Sequence, residues 1–529
     1  MTIVAAAPPA VQVAPRHRAM LALARVESVR FLRHPLTVAA LLLFVSPWIY
    51  DLFTGTTDRY PVLHDKAVGM QLLGLFVLGG AALVVANLNA LRAHRHHTDA
   101  LYSVLVLPGP WRTGAFLLAP LPYAAAVLVL VTARVGALSL LPGAAGHADP
   151  AELVTIPVLV VLFAAAGVLL AGLIRSAVVA PLAMFAFAVA AFTVLVVAAE
   201  GNATLRLLLP VMFGDLPFAL PSDLVDRPAL RHLAYVAGLA ALAAVAAVVR
   251  SGARGRPVVA AAVLAATLTA TAGAAQFAPD DARRRAAVTA TDNPAQMQTC
   301  HRRGDVTYCA FDDFAPWIPG WEAVLQGVRR PVPAVTGPPL AVRQRVWAAG
   351  YPTGSSITVD LTTEVARNTA WSRAADAAGT PAAIPVGTSW DDDTSAAAFA
   401  AAVALRLLTG SAFSADGRSV CGARGALLVW LVGQATPATA KGLHRLDAQS
   451  SGSLAFTEPT TFMNLAVPDR DAATALAALR RPPAEIGALV AAHWQELTDP
   501  ATPADRFAAL TGVPIAPEPP LEERYTCTP

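Results

Sequence analysis

The sequence predicts an α-helical polytopic membrane bundle of about seven spans, followed by a mainly helical α+β extracytoplasmic domain. Three observations carry this reading. Of 529 residues, 55% are hydrophobic and only 14% charged, far from an ordinary soluble composition. Seven apolar runs in the first half approach the roughly 20 residues with which a helix crosses about 30 Å of hydrocarbon, every backbone group satisfied internally. All four cysteines follow residue 278, as they would if that half alone met an oxidising compartment. The net charge of +3, with no basic stripe interleaved with aromatics, does not suggest a nucleic-acid binder and says little else about partners.

Residues 1–17 are Ala- and Pro-rich with no apolar core; they read as a disordered tail, not a cleavable signal, so that the first span directs insertion. Residues 18–35, "RAMLALARVESVRFLRHP", form an amphipathic pattern. Met20, Leu21, Ala24, Phe31 and Leu32 fall on one face of a helical wheel, and Arg18, Arg25, Arg30 and Arg33 on the other. This predicts a helix lying along the inner leaflet, closed by Pro35, and equally a positive flank that fixes topology.

The predicted spans are 36–53, 68–91, 114–133, 153–174, 177–199, 232–249 and 258–277, within a transmembrane domain of 36–277. Pro47 and Pro181 interrupt two of them, which a bundle tolerates because neighbours re-satisfy the freed carbonyls. Arginines concentrate before the first span, at Arg92, Arg95 and Arg112, at Arg175, and at Arg250, Arg254 and Arg256. Positive flanks stay cytoplasmic, so the N-terminus is placed inside and residues 278–529 outside. Arg134, near the outer end of span three, reads as an interfacial anchor. Asn87 and Asn89 read as bonds between helices.

Between spans two and three lies "LRAHRHHTDALYSVLVLPGPWR", residues 91–112. His94, His96 and His97 lack an i, i+4 pair and companion thiolates or carboxylates, which argues against a metal. Thr98 can cap a short helix with Asp99 in its first turn, Leu101, Tyr102 and Leu105 on one side, and "PGP" as its stop. That surface is either a docking site or an ordinary loop packed back on the bundle.

The four cysteines allow three pairings. "CHRRGDVTYC" reads as a hairpin turning at Gly304 and Asp305, which favours Cys300 with Cys309 and leaves Cys421 with Cys527. Zinc held by all four lacks the usual C-x2-C spacing. Strand-like pieces occur at 306–311, 341–350 and 355–361. Helical ones follow at 363–379, 394–410, 424–435, 471–480 and 484–497. Outside the bundle no catalytic motif is found. "HWQE" fails metalloprotease spacing, leaving His493 as a helix-surface residue, and "WDDDTS" at 390–395 suits a helix start better than calcium. "RGD" at 303–305 is discounted as a chance tripeptide. Trp317, Trp321, Trp347, Trp371 and Trp390 read as core or as ligand contacts.

"ALARVESVRFLRHP" before span one, with "RHHTDALYSVLVLPGPWRTGAFLLAPL" leading into span three, resembles the permease subunits of ABC-2 type transporters, especially actinobacterial ones. The likeness covers about residues 18–250 and does not extend to 278–529. It implies an elbow helix carrying Arg25, Glu27, Arg30 and Arg33, and a coupling segment of Thr98, Asp99, Leu101, Tyr102 and Leu105 seated on an ATPase. It also implies short re-entrant helices between spans five and six, where Pro210, Pro217 and Pro221 prevent a full crossing; an amphipathic outer loop is the alternative. No G-x-x-x-x-G-K-[ST] is present, so the chain is not read as an enzyme. ATP and Mg2+ would act through a partner ATPase subunit docking on 92–113, beside a second permease copy in a bacterial plasma membrane. Two readings compete with this exporter: a membrane-anchored extracytoplasmic receptor or assembly protein, and a membrane enzyme with its site outside.

Overall fold

In the computed structural model, residues 16–54, 59–96, 107–199, 203–213, 218–333, 339–350, 361–390, 393–411, 419–461 and 463–517 are described. The chain is mostly helical, and among the described residues seven helices are long and apolar enough to cross a membrane. After α1 (Arg16–Arg33) these are α2 (Pro35–Thr54), α3 (Leu63–Arg95), α4 (Gly109–Ser139), α5 (Pro150–Leu173), α6 (Val179–Ala199), α7 (Ala229–Arg250) and α8 (Arg256–Ala275). Each predicted run lies at one of them. The second and third are longer than predicted because polar ends, such as "LHDK" before Ala67, continue the helix beyond its apolar part.

α5 is the axial helix, packed on α3, α4 and α7. Its mate α3 approaches so closely at Gly167 that a Cβ there would sit 2.2 Å from the Leu83 carbonyl oxygen. Asn87 donates to the Gly167 carbonyl at 3.2 Å, the interhelical bond its position suggested. Residues Gly74–Gly79 of α3 form a π-helical turn. Helices α2, α6 and α8 are mostly exposed along apolar flanks, Phe53 at 83% and Phe192 at 68%.

α1 packs on its neighbours through Ala24, Glu27, Ser28 and Phe31, while Leu21 and Leu32, two of the residues on the predicted apolar face, are 54% and 38% exposed. Glu27 is held on the packed side by arginine partners, a contact the helical wheel does not contain.

At the opposite end of the bundle the segment between α6 and α7 holds no α-helix among the described residues, only 3-10 turns at Ala203–Leu208 and Ser222–Leu224. Its chain is nonetheless drawn in: Val211 is buried among Leu75, Leu83, Leu159 and Val236. The Met212 N–H finds a partner in the Gln71 side-chain oxygen at 3.0 Å, and the Gln71 amide donates to the Glu152 carbonyl at 3.2 Å. A buried glutamine thus links irregular backbone at Met212 to the first turn of α5.

The C-terminal region is α+β. A four-stranded sheet runs in the order β1 (Thr299–Arg303), β2 (Val306–Ala310), β3 (Ala341–Gln344), β4 (Ile384–Val386), antiparallel in its first pair and parallel after it. β5 (Ser453–Glu458) and β6 (Met463–Pro468) make a separate hairpin. The helices are α9 (Asp281–Asp292), α10 (Ile318–Arg329), α11 (Leu361–Ala377), α12 (Asp393–Thr409), α13 (Gly422–Ala435), α14 (Pro437–Gln449), α15 (Asp469–Ala478), α16 (Pro483–Ala492), α17 (Trp494–Thr498) and α18 (Ala504–Thr511). The hairpin predicted at Gly304 is present. Gly304 has φ +59°, and Cys300 faces Cys309 across the register in a formed disulfide. Cys421 is also disulfide-bonded; Cys527 lies outside the described residues. Strand 341–350 is shorter than predicted, ending at Gln344, and the piece at 355–360 lies outside the described residues. The stretch 484–497 breaks into α16 and α17 at His493.

This region has one core with three loops of the bundle. Val62, Ala145, Ala219 and Leu224 join Phe314, Trp317, Trp321 and Trp390 in it. The Trp317 indole donates to the Gly143 carbonyl at 2.9 Å, and Tyr60 meets Trp317 and Trp390 edge to face. All five tryptophans named from the sequence are buried, so core is the reading that stands.

Candidate functional site

The sequence-derived site lies where α1, α3, α4 and α7 converge. α1 begins with arginines and ends with Arg30 and Arg33 in its last turn, where a helix C-terminus favours cations. Glu27, on its inner side, is fully buried. Its carboxylate accepts from Arg92 at the end of α3, Nη2 to Oε1 at 2.5 Å and Nη1 to Oε2 at 3.2 Å, and from Arg30 Nη1 at 2.9 Å. The Arg92 contact is a fork-to-fork pair, the geometry in which arginine binds carboxylate with direction as well as charge. Arg25 and Arg33 are exposed.

The predicted coupling residues Thr98, Asp99, Leu101, Tyr102 and Leu105 lie outside the described residues. The two roots of their segment are described. Upstream, α3 ends at Arg95, three residues beyond Arg92. Downstream, Pro108 caps the start of α4, where a Cβ on Gly109 would meet the Ser251 carbonyl at 3.0 Å and one on Gly114 would meet Met20 Sδ at 3.1 Å. Both roots therefore rest on fixed neighbours: one held by α1 through a charge pair, the other packed against α1 and the end of α7. The sequence marked Glu27 and Arg92 separately. Their union spans 65 positions, and no local pattern carries it.

A second polar cluster sits at the opposite end and was not singled out from the sequence. Glu152 in the first turn of α5 and Arg227 before α7 are both buried, with Arg227 Nε 2.9 Å from Glu152 Oε1. Arg227 also lies 3.7 Å from Asp65 and donates to the His64 carbonyl at 3.4 Å. His64 Nδ1 stands 3.4 Å from Ser222 Oγ, and the Ser222 N–H donates to Asp313 of the C-terminal region at 2.5 Å. A chain of polar contacts thus runs from the bundle into the C-terminal region. Their scattered positions, from 64 to 313, explain why the sequence does not display them together.

Several other expectations have outcomes here. Arg134 stands 3.6 Å from Asp51 with its guanidinium 5.8 Å from the Trp48 ring, so it braces α4 against α2. Asp393 begins α12 and pairs with Lys441 and Arg445 at 3.0 and 3.2 Å. His493 is a surface residue 3.1 Å from Glu496. Among the described residues no group of three or more His, Cys, Asp or Glu side chains is placed to hold a metal ion. No protein-family model, curated protein or solved structure matches this chain.

Proposed function

We propose that this chain is the membrane-spanning permease subunit of an ABC-type exporter in a bacterial plasma membrane, driven by a separate ATPase that docks on the segment 92–113. The observation that carries the reading is the Glu27–Arg92 pair. It fastens an amphipathic helix to the end of an apolar helix at the root of an intervening loop. A simple anchor has no use for such a brace; a loop that receives a push does. Force on 97–106 would load α1 and α3 together and reach α4 through its packing on Met20 and Ser251.

In this reading the exposed apolar flanks of α2, α6 and α8 face lipid or a second permease copy, and ATP and Mg2+ are held by the partner ATPase. Nucleotide-driven closure would then rock the paired bundles between inward- and outward-facing states. The alternative, an anchored receptor, draws on the C-terminal region's large core.

The test is purification of the tagged protein from native membranes in mild detergent, with mass spectrometry of bound proteins, beside a Leu101→Asp/Leu105→Asp variant. A stoichiometric P-loop ATPase held by the wild type and lost by the variant is expected. No ATPase in either sample would overturn the exporter reading in favour of the receptor.

A further inference from the structure

The C-terminal region carries a groove of about 730 Å3 where α10, α13, α14 and the start of α16 meet. Its size falls within the roughly 300–1,000 Å3 of small-molecule sites. The floor is apolar and firm. Trp430 is almost wholly buried beneath it, and α10 and α13 touch so closely that a Cβ on Gly327 would lie 2.2 Å from the Ala435 carbonyl oxygen. The walls carry Gln326, an exposed amide, and Gln434, whose amide nitrogen is already engaged by the Gly327 and Leu431 carbonyls.

The charge on this groove has one sign. Arg330, His444 and Arg481 are its titratable lining residues, and no carboxylate lines it. Arg481 is engaged already, donating to the Thr511 carbonyl and pairing with Glu485. Arg330 and His444 are different: both are exposed, and among the described residues neither has an ion-pair or side-chain hydrogen-bond partner. An open guanidinium and an open imidazole above an apolar floor fit an anion that carries an apolar body.

We propose that this groove binds small amphipathic anions, a phosphate or carboxylate group held by Arg330 and His444 with an apolar portion laid over Trp430. The proposal concerns the C-terminal region alone and stands whether or not an ATPase binds the other end.

The experiment uses the full chain in lipid nanodiscs and equilibrium dialysis of 2-naphthyl phosphate, with 2-naphthol as the neutral counterpart and empty nanodiscs subtracted. One saturable site per chain for the phosphate is expected, with 2-naphthol at least about tenfold weaker, the loss of one good charge-assisted contact. Arg330→Gln/His444→Gln should weaken the phosphate about tenfold or more. Arg373→Gln, an exposed arginine on α11 away from the groove, should leave it unchanged. Both altered groove residues are exposed, so the variant should fold, and an unchanged melting temperature checks this. Lack of saturable binding, equal binding of the two probes, or equal binding by the groove variant would each overturn the proposal. Displacement by an equal concentration of inorganic phosphate would do so too, since the apolar floor would then contribute nothing.

Discussion

Glu27 on α1 and Arg92 on α3 are joined by two hydrogen bonds, with the carboxylate fully buried and the guanidinium partly so. Removing one member of a buried pair leaves the other desolvated and unmatched, which is far worse than removing both. Glu27→Ala should therefore destabilise the protein by about 2–4 kcal/mol, the low side of the range for fully buried pairs because Arg92 keeps some solvent. Arg92→Leu should cost less, and Glu27→Ala/Arg92→Leu should recover part of the loss. Thermal melts in detergent across the double-mutant cycle measure it, and a coupling energy near zero would refute the brace.

Asp471 is the clearest pH-sensitive group outside the apolar helices. It lies in the first turn of α15, is buried, and accepts from the Gly422 N–H at 2.6 Å. Burial outweighs that bond and pushes its carboxyl up to about 6 from 3.8. The native state therefore holds a proton between about pH 4 and 6 that the unfolded chain has released, so stability falls as pH rises through this window. Asp471→Asn should be more stable than wild type at pH 7, by on the order of 2 kcal/mol, with the advantage vanishing near pH 4. Chemical denaturation at a series of pH values checks the sign.

Gly167→Ala should be damaging, because its methyl would meet the Leu83 carbonyl oxygen at 2.2 Å and α3 cannot yield without moving Asn87. Overpacking of this kind costs about 1–3 kcal/mol or more. The expected result is a lower melting temperature together with faster cleavage of the α3–α4 connection by added protease.

Asp313→Ala tests the join between the bundle and the C-terminal region. The Ser222 N–H loses its acceptor, worth about 1.5–3 kcal/mol for a hydrogen bond to a charged group. Hydrogen exchange at residues 219–225 should accelerate roughly tenfold or more, while exchange in α13, deep in the core, should not change. Acceleration in both places would mean that the region unfolds rather than undocks.

The apolar helices were legible because a long run of Leu, Val and Ala has few other solutions, and α12 and α13 were legible for the same reason. The β5–β6 hairpin was not: "SLAFTE" buries Leu454, Phe456 and Glu458 but mixes them with residues common in loops. The packed side of α1 was only partly legible, because hydrophobicity points to Ala24 and Phe31 but not to Glu27, which a charge pair holds there. What could not be read at all is long-range: Trp317 on Gly143, Arg227 on Glu152, and Glu27 on Arg92. Each of these residues is ordinary in its own neighbourhood, and only the fold makes them partners.

The π-helical turn Gly74–Gly79 gives α3 one residue more than an α-helix of the same length would hold. One residue is about 100° of rotation. The two halves of this rod are consequently phased independently, so that Gln71 can face the irregular strand at Met212 while Asn87 faces Gly167 and Arg92 faces Glu27. Were the same residues wound as regular α-helix throughout, one half would turn by about that angle against the other, like two gears set a tooth apart. The helix would keep its composition, yet its two ends could no longer mesh with their partners at once.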